Sequence, residues 1–210
     1  FVPMIAPSRD YGYGLYRDET QEYFKSILDA WAKVTPPDWY YYDLPNQILK
    51  SDAGYPGNTG LVTPPAPDIL NIIFPQLVKS HIVGAHIYGV PSWSNGALAN
   101  YMLAKLMWNP KIDAREVQRE WLHRAYGARA GAAMEPFYAK LDEWFRDHYR
   151  KHETDSYTLT WTMLAEIYSA PRYAELEKLF LNARAQPTTD VQKQRLQLIE
   201  ANLIVLQWRL

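Results

Sequence analysis

Two carboxylates stand where a short apolar run gives way to a loop. Asp43 closes Asp38-Trp39-Tyr40-Tyr41-Tyr42-Asp43 and precedes Leu44-Pro45-Asn46. Asp10 lies in Pro7-Ser8-Arg9-Asp10-Tyr11, just after the run Phe1–Ala6. Paired carboxyl groups across a scissile bond are the usual machinery of glycoside cleavage, about 5–5.5 Å apart for retention and about 6.5–9.5 Å apart for inversion. Asp43 and Asp10 are therefore the candidate catalytic residues. Each has a structural alternative: Asp43 can cap a turn through backbone N–H groups, and Asp10 can pair with Arg9. Asp18 and Glu19 read as first-turn helix acids.

Aromatic and amide side chains surround the same strand ends. Ile82–Gly89 runs into Val90-Pro91-Ser92-Trp93-Ser94-Asn95. Trp93 is a candidate platform for a sugar ring, flanked by Ser92 and Asn95. Tyr11, Tyr42, Tyr88, Asn46 and Arg9 are candidates for hydrogen-bonding hydroxyls. With 8 Trp and 16 Tyr against 6 Phe, the chain is rich in rings that combine an apolar face with a polar edge,. Strand alternation sends some of these rings into a helix layer as ordinary packing. His86, inside a strand-like run, reads as a satisfied core histidine.

Other chemistries have weak signals. His148 and His152 at i, i+4 can share a helix face, but no third ligand follows at usable spacing, so the expectation is no metal and no cofactor. Gly54–Gly60 lacks the Gly-Lys-Ser/Thr of a phosphate loop. No Gly-x-Ser-x-Gly elbow occurs.

The elements that position these groups alternate in the first half. Strand-like Phe1–Ala6, Trp39–Asp43 and Ile82–Gly89 are separated by helical patterns near Thr20–Val34 and Asp68–Ser80, the second containing Pro75. A long Gly/Pro/Asn/Thr-rich loop spans Asn46–Pro67,. Ala97–Trp108 is a nearly all-apolar helix, so most of its circumference should be buried. After Asn109-Pro110 strand signals stop. Asp113 with Glu116 begins a helix that ends at Gly127. A long helix then shows Met134, Phe137, Tyr138, Leu141, Trp144, Phe145 and His148 on one face, and another carries Tyr173, Leu176, Leu179, Phe180 and Ala183. The last starts at Thr189, with Gln192 completing its cap, and presents Leu196, Ile199, Leu203, Leu206 and Leu210 as a packing seam.

Composition removes several classes. The net charge of −1, without a basic stripe, makes nucleic acid and anionic membrane poor partners,. No run of about 18 apolar residues suggests a membrane span, and no signal peptide is visible. The absence of Cys excludes disulfides and thiolate metal sites,. It fits an exported protein without disulfides and a cytosolic one equally. Phe1 begins inside a strand pattern and Leu210 ends inside a helical one, so the remainder of a longer polypeptide is an expected partner. Three β/α units cannot close a barrel, which takes about 250 residues. If this is a barrel, its other strands lie upstream.

The stretch Ala97–Tyr138 resembles a known family. It reads Ala-Leu-Ala-Asn-Tyr-Met-Leu-Ala-Lys-Leu-Met-Trp-Asn-Pro, then Lys111-Ile112-Asp113, a charged helix ending Arg124-Ala125-Tyr126-Gly127, and Ala132-Ala133 with Phe137-Tyr138 beyond. This pattern, together with Asp29-Ala30-Trp31-Ala32-Lys33 before Asp38–Asn46, resembles a bacterial domain family of uncharacterised function. That family is associated with glycoside-hydrolase-like (β/α)8 barrels related to α-glucuronidases and β-hexosaminidases. The resemblance covers roughly residues 1–145. It implies a barrel; with the alternation and helical patterns above, the expectation is an α/β fold, the C-terminal part of a TIM barrel over residues 1–109, followed by an all-helical region over 110–210. The resemblance also implies a carbohydrate substrate; where the protein resides is not fixed by the sequence, and an extracytoplasmic setting is the expectation. The loop Pro91-Ser92-Trp93-Ser94 departs from this by offering no carboxylate, and no catalytic residue carries over. Two rival readings are a non-catalytic carbohydrate-binding module and a helical interaction module. In the latter, Tyr173–Leu210 docks a partner or forms a homodimer.

Overall fold

The computed structural model describes residues 3–5, 12–43, 62–87, 93–152 and 165–209. Three strands form one parallel sheet in the order β1-β2-β3: β1 (Met4–Ile5), β2 (Trp39–Asp43) and β3 (Ile82–Ile87). Tyr40 and Tyr41 of β2 pair with Met4 and Ile5 on one side and with Gly84 and Ala85 on the other. Between them run a 3-10 turn (Gly12–Tyr16), α1 (Asp18–Ala32) and α2 (Pro67–Lys79). After β3 every described element is helical: α3 (Trp93–Trp108), α4 (Ala114–Tyr126), α5 (Ala128–Lys151), α6 (Ala170–Arg184) and α7 (Asp190–Arg209).

This architecture corrects the expectation of a TIM-barrel segment. The described residues are mainly helical, and the sheet has only three strands, of two, five and six residues. A β/α alternation looks the same locally in any parallel arrangement, so it carries no count of strands and does not imply closure. The long helices make a core of their own. α5 packs on both α4 and α6, and α7 lies against α3, α4 and α6. One continuous cluster of buried side chains runs from Tyr13 to Leu206.

The helix faces follow their sequence patterns. Met134, Phe137, Tyr138, Leu141, Trp144, Phe145 and His148 of α5 are all buried. The seam Leu196, Ile199, Leu203 and Leu206 of α7 is buried within this chain. Helix ends are closed as the residue types require. Asp113 accepts the Arg115 N–H at 2.8 Å. Thr189 and Gln192 cap α7 reciprocally: the Gln192 N–H donates to Thr189 Oγ1 at 3.3 Å and the Thr189 N–H to Gln192 Oε1 at 2.9 Å,. α3 is less enclosed than its composition suggests, since Trp108 is 90% exposed.

The two faces of the sheet differ. Trp39 and Tyr41 enter the core, and the Trp39 indole donates to the Ser80 carbonyl at 2.7 Å. On the other face Tyr40 is exposed and its ring lies across Gly84, where a Cβ would stand 2.4 Å from Tyr40 Cε1. His86 is exposed on this face, which corrects its reading as a core histidine.

Candidate functional site

Parallel pairing brings the carboxyl ends of the strands to one edge, and the residue segments following them start there. Asp43, the last residue of β2, is in register with Ile87, the last of β3. One position earlier Tyr42 pairs with His86, their rings edge-on with centroids 5.1 Å apart. Trp93 opens α3 and Asn95 lies in its first turn. Of the other sequence candidates, Arg9, Asp10, Tyr11, Asn46, Tyr88 and Ser92 lie outside the described residues, and so does the long loop before position 62.

α2 ends at Lys79, just before β3 begins, so its amino end returns to the carboxyl edge of the sheet. Helix and strand match in length, at about 20 Å each. At this end residues 62–66 are all buried and lead into α2. Buried polar backbone must find partners. Here alternate residues are served by side chains from elsewhere. The Tyr168 hydroxyl donates to the Val62 carbonyl, the Tyr13 hydroxyl to the Pro64 carbonyl at 2.8 Å, and the Ala66 N–H to Asp142 Oδ1 at 3.1 Å. Ala66 itself adopts a left-handed conformation, with φ of 47°.

A cleft of about 430 Å³ opens beside this segment, between the amino end of α2 and helices α4 and α5. Asp68 binds two guanidinium groups in it: Arg115 Nε donates to Oδ1 and Arg146 Nη2 to Oδ2, each at 2.7 Å. Asp142 borders the same cleft and is only 6% exposed. Its Oδ1 also accepts from the Tyr16 hydroxyl at 3.2 Å. Burial pushes the Asp142 carboxyl up to about 7, aided by the negative charge of Asp68. The Tyr16 and Ala66 hydrogen bonds and Arg146 pull the other way without cancelling it,. Such a carboxyl can hold or release a proton near neutrality. Two hydrogen bonds already engage its Oδ1, so its first role is to fasten Ala66 and the 3-10 turn to α5.

Sequence reasoning passed over Asp142, although a signal exists. It falls four residues after Tyr138 and three before Phe145, on the buried stripe of α5, where an unpaired acid is costly. Asp68 and Arg146 carry no such signal, because their pairing spans 78 residues of chain.

Among the described residues, a small parallel sheet backed by a helical bundle defines an α/β-containing, mainly helical domain. The sequence matches the family described as a domain of unknown function, DUF4838, over residues 3–139, more than half of the chain, and the chain belongs to that family. Neither a curated protein nor a solved structure matches it. Among the described residues no helix is long and apolar enough to cross a membrane.

Proposed function

We propose that the carboxyl edge of this sheet takes part in binding and hydrolysing a glycoside, with Asp43 and Asp10 as its carboxyl groups and Trp93 as a stacking platform. The observation that carries the reading is the parallel register of β2 with β3, which sets Asp43 beside the end of β3. Ligands of open parallel sheets gather at the carboxyl ends of the strands, outside the sheet. The choice of substrate class rests on the sequence resemblance, at Leu103–Pro110 and Tyr126-Gly127, to a family of uncharacterised function that is associated with glycoside-hydrolase-like barrels. No cofactor is required for carboxylate chemistry of this kind.

The test is Asp43→Asn, assayed on a panel of aryl glycosides. Loss of an acid/base group lowers turnover by about 10²–10⁴-fold, with the circular dichroism spectrum unchanged. Full activity in the variant removes Asp43 from the chemistry. The aromatic face formed by exposed Tyr40 and His86 with half-buried Tyr42 favours a second reading, binding without cleavage. Under that reading saccharide affinity survives Asp43→Asn and falls with Trp93→Ala.

A further inference from the structure

The pair His148 and His152 lacks a third ligand at usable spacing along the chain, and folding supplies one. Glu166, 14 residues beyond His152, places its Oε1 2.9 Å from His152 Nε2 and 3.2 Å from His148 Nδ1. The two imidazoles lie 4.6 Å apart, centre to centre. The three possible ligand atoms all fall within 4.8 Å of one another. Ligand atoms about 2.1 Å from a tetrahedral ion stand about 3.4 Å apart. The observed spread brackets that figure, so modest side-chain adjustment is enough to seat an ion.

A plain His–Glu ion pair accounts poorly for the same geometry. His148 is 4% exposed, and neither of its ring nitrogens has an aligned hydrogen-bond partner; the 3.2 Å approach to Glu166 is close without being well directed. Both rings bring a nitrogen close to the same carboxylate oxygen, Glu166 Oε1, so the three groups gather about one point. The backbone on either side is also held: Arg17, itself buried, donates to the His152 carbonyl at 3.1 Å, and Arg172 donates to the Glu166 carbonyl at 3.3 Å. The charge of Arg172 opposes a cation nearby, but its guanidinium engages backbone carbonyls and the face of Trp144.

We propose that His148, His152 and Glu166 form a three-ligand site for a divalent first-row transition cation, zinc foremost, with a fourth position open to water. Two nitrogens and one carboxylate oxygen suit such an ion and not calcium or magnesium, which favour all-oxygen shells. The bound ion ties the carboxyl end of α5 to the residues preceding α6. This inference stands apart from the saccharide reading, since none of its residues belongs to the sheet edge.

The probe is zinc itself. Protein stripped with a chelator is titrated with Zn²⁺ against a chromophoric competitor, and metal content is measured after dialysis. The expected result is one zinc per chain, a zinc-dependent rise in melting temperature, and loss of affinity by about 10–100-fold or more in His152→Ala and in Glu166→Gln. Both residues are exposed enough for the variants to fold, which their zinc-free melting curves check. His81→Ala, on an exposed residue elsewhere, leaves affinity unchanged. Cobalt substitution should give visible absorption bands that Glu166→Gln weakens. A wild-type protein that retains no zinc, or zinc binding equal in wild type and in both variants, overturns the site.

Discussion

Tyrosines on the open face of the sheet and tyrosines beneath α5 are put to opposite uses. Tyr40 and Tyr42 stand on the outer side of β2, one ring lying across Gly84 and the other edge-on to His86. Tyr13, Tyr149 and Tyr168 are fully buried around Phe145, and two of their hydroxyls reach carbonyls of residues 62–66. The outer rings can meet a ligand, whereas the inner ones hold the segment that leads into α2. A high tyrosine count therefore supports a binding surface only for the rings that β2's alternation turns outward. The inner rings serve burial, and those of Tyr13 and Tyr168 add one directed hydrogen bond each,.

The comparison breaks most visibly at Phe145. This ring is wholly buried and lies 4.9 Å from the Tyr13 ring, centre to centre, and 6.0 Å from that of Tyr168. Phe145→Ala is expected to cost about 3–5 kcal/mol, measured by urea unfolding. The same truncation at exposed Tyr40 should cost far less. Equal losses at the two positions would mean that the outer face is as tightly packed as the inner.

Asp142 sharpens the contrast through pH. Its folded pKa, about 7, lies above the ordinary 3.8, so the folded state holds a proton that the unfolded state has already released. The contribution is fully present below about pH 3.8 and is lost as pH rises through about 7. Its ceiling is roughly 4 kcal/mol, at about 1.4 kcal/mol for each pH unit between those values. Asp142→Asn keeps an oxygen to accept from Ala66 and Tyr16 and does not titrate. The stability of the variant relative to wild type should therefore rise between pH 4 and pH 8, judged from urea midpoints across that range. Asp68, Arg146 and Tyr16 face the group in both proteins, so the difference isolates Asp142 from their titration. A flat difference would place the carboxyl in a wetter setting than its burial indicates.

Local order was legible where a single segment decides it. The strand Trp39–Asp43 is found residue for residue, because four aromatic residues followed by Asp-Leu-Pro leave few alternatives. Gly127, with φ of 85°, ends α4 where the sequence places it, and the Thr189/Gln192 cap forms. Fold class was not legible, because strand number is a property of the assembled sheet and not of any one β/α unit. Partners distant in sequence were also hidden. Neither the contact of Glu166 with the two histidines nor that of Asp142 with Ala66, 76 residues away, leaves a trace in spacing. Of the proposed sheet-edge residues, Tyr42 is the one whose side chain and partner can both be named.

The finest test uses one substitution in both regions. Gly84 and Gly131 each leave no room for a Cβ, but different atoms stand in the way. At Gly84 the obstacle is the Tyr40 ring, half in solvent and free to swing outward. At Gly131 it is the backbone where α4 meets α5, with the Leu122 carbonyl oxygen at 2.6 Å and His123 Cα at 2.8 Å. Propensity alone favours alanine at Gly131 by about 1 kcal/mol, since it lies inside a helix. Sterics oppose it, because two helix backbones would have to part, at about 1–3 kcal/mol. Gly131→Ala should therefore destabilise despite the gain in propensity, and Gly84→Ala should fall within about 0.5 kcal/mol of wild type, as surface changes do. Should Gly131→Ala stabilise instead, α5 can slide on α4 and the inner region is the softer of the two. Should Gly84→Ala cost as much as Gly131→Ala, the Tyr40 ring is locked in place and the outer face is a built surface.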